Sequence, residues 1–61
     1  MSAQVYVKRR ENKLTQADIA EILNVAKETY SLKELGKRDF TISEAKLLAK
    51  YYGCTLDELF N

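Results

Sequence analysis

The sequence predicts an all-α fold, a compact bundle of five short helices. Three observations carry that expectation. Apolar residues recur at spacings of three and four along most of the chain. A cap-x-x-acid pattern occurs three times, at Thr15-Gln16-Ala17-Asp18, Thr41-Ile42-Ser43-Glu44 and Thr55-Leu56-Asp57-Glu58. Leu, Ala, Lys and Glu are abundant, whereas there are two Gly and no Pro. With 61 residues the chain reads as one domain, 1–61. A domain of this size buries only about 60% of its unfolded surface, so its stability margin is thin.

The first element is expected from Ser2 to about Asn12. Val5 and Arg9 stand four apart, and Ser2 is placed to cap the start. The rival is a short strand over Gln4-Val5-Tyr6-Val7, residues that favour extended backbone. A single strand in a helical chain has no partner, which favours the helix. Lys13-Leu14 then forms a link.

The stretch 15–36 reads as two helices and a tight turn at Asn24-Val25. Thr15 caps the first, and Asp18 can reach back to the cap's own N–H. Ile19, Ala20 and Leu23 line one face, with small Ala20 suited to a close crossing. The second helix runs from about Lys27 to Leu35 and stops at Gly36, which adopts the left-handed conformation most easily. Its cap position is Ala26, a poor cap that costs around 1 kcal/mol relative to Ser or Thr. Two helices joined so tightly form a helix-turn-helix, whose second helix enters the DNA major groove.

The fourth helix starts after Thr41, runs to Tyr52 and ends at Gly53. Ile42, Ala45, Leu48, Ala49 and Tyr52 make its expected buried stripe. The fifth starts after Thr55. Leu14, Phe40 and Cys54 precede the three capping patterns and can staple to Ile19, Ala45 and Leu59.

Tyr30 and Val25 are read as facing the core. The opposite face of the 27–35 helix then shows Lys27, Glu28, Ser31 and Leu32. Lys can donate to guanine O6 and N7, Glu can accept from cytosine N4, and Leu can pack on a thymine methyl. An ordinary solvated helix face has a similar composition. Gln16, Thr29, Lys37 and Arg38 are the phosphate-binding candidates. Arg9 and Glu34 lie on inward faces, so a buried ion pair between the first and third helices would satisfy both. Arg10 is read as a surface charge.

Composition argues against an enzyme. The chain has no His, no Cys pair and no Gly-rich phosphate loop, so no metal or cofactor is expected. A single Cys, Cys54, no secretory signal and no apolar run near the roughly 20 residues of a membrane span point to the cytoplasm. Net charge is only +1, but residues 1–38 carry eight Lys/Arg against five Asp/Glu, and residues 39–61 two against four. One end is therefore the more basic, as a DNA-facing surface requires.

The chain resembles the Cro/repressor-type helix-turn-helix domains of phages and bacterial regulators, the XRE family. The residues that carry the resemblance are L-T-Q-A-D-I-A at 14–20, N-V-A-K-E-T-Y at 24–30, E-L-G-K-R at 34–38 and L-A-K-Y-Y-G-C-T-L-D-E-L-F at 48–60. The resemblance implies a lambda-repressor-like fold and a sequence-specific regulator of transcription, most often a repressor, on double-stranded DNA. It implies base contacts from Lys27, Glu28 and Leu32, and backbone contacts from Gln16, Thr29, Lys37 and Arg38. It also implies the buried Arg9–Glu34 pair, a bacterial or phage-encoded origin, and a homodimer at least on DNA. A monomer in free solution is compatible with the same chain.

The chain departs from the family pattern in places. Asn24 stands where Gly is common, Ala26 where Ser or Thr is, and Lys33 where an apolar residue is usual. The Lys33 stem is expected over the core with its head in water. Leu35 is apolar where polar residues are common. Leu32, Leu35 and Leu59-Phe60 are candidates for a partner surface. The competing reading is a protein-binding module on the same fold, of antitoxin or antirepressor type.

Overall fold

The computed structural model describes residues 3–60. Five helices follow in order: α1 (Ala3–Glu11), α2 (Gln16–Leu23), α3 (Lys27–Glu34), α4 (Ile42–Tyr52) and α5 (Leu56–Phe60). Among the described residues there is no strand, and Gln4–Val7 is helical. The expected Ser2 cap lies outside the described residues.

Helix starts follow the capping patterns. Thr15 Oγ1 accepts from the Asp18 N–H at 3.1 Å, and the Asp18 carboxylate accepts from the Thr15 N–H at 2.8 Å. Thr41 with Glu44, and Thr55 with Glu58, repeat the reciprocal pair. Ala26 has the extended backbone of a cap but no side-chain bond to offer α3.

The first four helices end alike. A left-handed residue follows each, at Lys13, Asn24, Gly36 and Gly53. The next N–H then closes on a carbonyl five residues back: Leu14 on Arg9, Val25 on Ala20, Lys37 on Leu32 and Cys54 on Ala49. Lys13 is the unexpected member, since a side chain makes this conformation costly.

The core is Val5, Ile19, Ala20, Leu23, Tyr30, Leu48, Ala49 and Leu59. Helix α1 packs on α3 and α5, α2 on α3, and α4 on α5. Phe40, in the α3–α4 loop, meets Tyr30 and Phe60 edge to face at 6.2 and 5.3 Å between centroids. The loop is thereby tied to α3 and α5.

Three expectations about packing are corrected. Ile42 is 73% exposed and outside the stripe that Leu48 and Ala49 bury. It is the first residue of α4, and its position overhangs the core rather than facing it. Leu59 is fully buried, so it offers no partner surface. The Lys33 head does not escape to water. It pairs with the Glu44 carboxylate and lies 6.0 Å from the Phe40 ring centre, and the residue is buried.

Candidate nucleic-acid interface

The angle between α2 and α3 is set by three residues. Asn24 turns left-handed at φ 59°, and Val25 drops half-buried against the core. Ala26 is extended and leads into α3. Fully buried Tyr30 then fixes which side of α3 faces inward. The other side is presented outward, as the 3.6-residue period requires.

On that outward side Lys27, Glu28, Ser31 and Leu32 line one shallow hollow together with Gln16 from the first turn of α2. Lys27 and Glu28 are exposed, Ser31 is half-buried and Leu32 is 37% exposed. Thr29, half-buried, does not line it. Lys37 and Arg38 are exposed just beyond Gly36, and Arg38 borders a different hollow with Phe40, Ile42, Leu56 and Phe60. The fold thus gathers four of the α3 residues and Gln16 at one place. Thr29, Lys37 and Arg38 stand apart from them.

A family model for helix-turn-helix proteins matches residues 5–59. The chain belongs to the XRE family of Cro/C1-type helix-turn-helix proteins. No curated protein matches it. The family's domain is a DNA-binding regulatory one and is not typically enzymatic. In this Cro/C1-type chain the motif is α2, the Asn24–Ala26 turn and α3. Among the described residues no cluster of three or more His, Cys, Asp or Glu is placed to hold a metal. No described helix is long and apolar enough to cross a membrane.

Beneath the Cro/C1-type motif lies a polar network centred on Glu34. The Arg9 guanidinium grips both carboxylate oxygens, Nε to Oε2 at 2.8 Å and Nη2 to Oε1 at 3.0 Å. The Tyr30 hydroxyl donates to Oε2 at 2.7 Å, and Gln16 Nε2 donates to Oε1 at 3.1 Å. Arg9 Nη1 spends a further N–H on the Leu14 carbonyl at 2.9 Å, at the turn into α2. Burial alone would raise the Glu34 carboxyl, but the bonds from Arg9, Tyr30 and Gln16 outweigh it and hold it below its ordinary value. Burial, and then the bond to Glu34, pushes the Tyr30 hydroxyl well above its ordinary value.

The network joins α1, α2 and α3 through one charge. The pair itself is legible from the inward positions of Arg9 and Glu34. The contributions of Tyr30 and of the Leu14 carbonyl are not, because both depend on how the helices meet. Gln16 differs from expectation in one respect: its amide nitrogen donates inward, to Glu34. That nitrogen carries two N–H groups, and one is spent there.

Proposed function

We propose that the chain is a sequence-specific transcriptional repressor that reads the major groove of double-stranded DNA with α3. The observation that supports this best is the grouping of Lys27, Glu28, Ser31 and Leu32 with Gln16, on the side of α3 away from buried Tyr30. Lys27 donates to guanine O6 and N7, and Glu28 accepts from cytosine N4. Leu32 packs on a thymine methyl, and Ser31 bonds to a neighbouring base edge. Gln16 offers its second amide N–H to a phosphate and, through Glu34, passes the position of that strand to α3. Thr29, Lys37 and Arg38 contact the backbone on the far side of the groove.

Repression needs only occupancy of a site that overlaps a promoter, which a domain of this kind supplies. The chain pairs as a homodimer on DNA, with Ile42 and Leu56 at the contact. Both are exposed beside Phe40 and Phe60 in an apolar hollow. Its place of action is the bacterial cytoplasm, whether the gene is bacterial or phage-borne.

Selection of bound duplexes from a random pool tests this reading. The expected product is a pair of inverted half-sites about one helical turn apart. Recovery of no preferred sequence at low salt would refute it. The protein-binding alternative rests on Glu28 in the reading face and on Leu35, which is 55% exposed at the end of α3. It predicts no binding to genomic DNA at low salt, together with co-purification of a protein partner.

A further inference from the structure

Beside the reading face lies a second hollow, at the corner where α1 turns into α2. Arg10, Lys13, Thr15, Gln16 and Lys27 contribute to its lining, and no carboxylate does. Arg9 also borders it, but its charge is already matched by Glu34. The other three cations have no such match. Arg10 donates to the Tyr6 hydroxyl at 3.2 Å and lies 5.7 Å from that ring's centre, neither of which neutralises it. Lys13 and Lys27 are exposed and take no part in the ion pairs of the described residues. Three uncompensated positive charges around one hollow repel one another and attract an anion.

The backbone adds a second oddity. The left-handed residues after α2, α3 and α4 are Asn24, Gly36 and Gly53, whereas α1 ends on Lys13 at φ 57°. A Lys is a costlier choice there than Gly or Asn. Its return is position, since the turn places the ammonium-bearing residue at the hollow. The hollow is also continuous with the reading face, because Gln16 and Lys27 line both.

We infer that Arg10 and Lys13, beside the base-reading Lys27, form a phosphate cradle that extends the DNA footprint past the start of α2. The inference rests on the DNA-binding reading above. With α3 in the major groove, the strand that passes Gln16 continues along this corner. Its phosphates supply the missing counter-charge. These contacts are blind to sequence and act on affinity and salt dependence.

The test is a salt titration of binding by fluorescence anisotropy, on the selected site and on a random duplex of equal length. The variants are Lys13→Gly, Arg10→Gln, the double variant, and Lys50→Gln on α4 as a control for net charge. Each cradle variant is expected to weaken both duplexes by the same factor. Each should flatten the slope of log affinity against log salt by about 0.9, and the double variant by about 1.8. Lys50→Gln should leave the slope alone. Lys13→Gly should melt no lower than wild type, because Gly suits the backbone there, so its loss of affinity cannot be a loss of fold. Wild-type affinity and slope in both single variants would overturn the cradle while leaving the DNA-binding reading intact. So would an equal flattening by Lys50→Gln, which would reduce the effect to net charge. A wild-type chain that binds neither duplex would overturn the DNA-binding reading and the cradle with it.

Discussion

Replacing Glu34 by Gln keeps the shape of the side chain and removes its charge. In the native network four donors converge on two carboxylate oxygens. An amide has one oxygen, and whichever way it turns, its NH₂ confronts two of those donors. The Tyr30 hydroxyl can rotate and accept instead. The Arg9 N–H cannot, and the buried guanidinium loses its counter-charge. Removing one member of a buried pair costs about 3–5 kcal/mol. The whole stability of a 61-residue chain is only about 3–9 kcal/mol at the usual value per residue. The variant should therefore lie near the edge of folding. For a domain of this size each kcal/mol shifts Tm by about 4–8 °C. Thermal melts followed by circular dichroism at pH 7 should show a fall of about 12 °C or more. A fall under about 4 °C would mean that water or a rearranged Arg9 replaces the carboxylate at little cost, and that the buried charge pair does not hold the three helices together.

Three further outcomes are expected. Stability should decline in acid: Glu34 and Glu44 are both held below their ordinary values by hydrogen bonds that outweigh burial. Their contribution is complete above the unfolded carboxylate range near pH 4.3 and is lost as pH falls through the lower folded values. A Tm–pH series from 7 to 2 checks this, and Glu34→Gln should flatten it. Ala26→Ser should stabilise by about 1 kcal/mol, because the extended backbone of a cap is already in place and only the side-chain acceptor is missing. An unchanged Tm would show that the first N–H groups of α3 are already satisfied. Lys13→Gly and Arg10→Gln should act on DNA affinity and salt slope rather than on fold, as set out above.

Much of the architecture was legible because this chain writes its helix boundaries in residue types. Each capping Thr precedes an acid by three, and Asn24, Gly36 and Gly53 mark where helices stop. The Arg9–Glu34 pair was legible for a different reason: a charge at an inward position needs a partner. What escaped is what only the packing decides. Ile42 keeps the helical spacing of a core residue, but spacing does not say where the core ends along the helix axis. Leu59 is apolar and close to Phe60, but α5 packs on α1 and buries it, while Phe60 stays half-buried. Lys33 stands where an apolar residue is usual, so its stem is expected on the core and its head in water. Its partner, Glu44, arrives from α4 by way of the Phe40 loop. Lys13 carried no signal at all, since a left-handed turn on Lys runs against residue preference.

In the proposed function α3 reads bases, and Lys27 is the residue on which that reading turns. Lys27→Ala and Lys37→Ala should be titrated side by side on the selected site, on that site with each base pair changed in turn, and on random duplex. Lys27→Ala should lose about 1–3 kcal/mol on the selected site and relax preference at one base pair. Lys37→Ala should weaken all duplexes alike, as a backbone contact does. If the two variants lose affinity equally on specific and random DNA, α3 is not the reading helix.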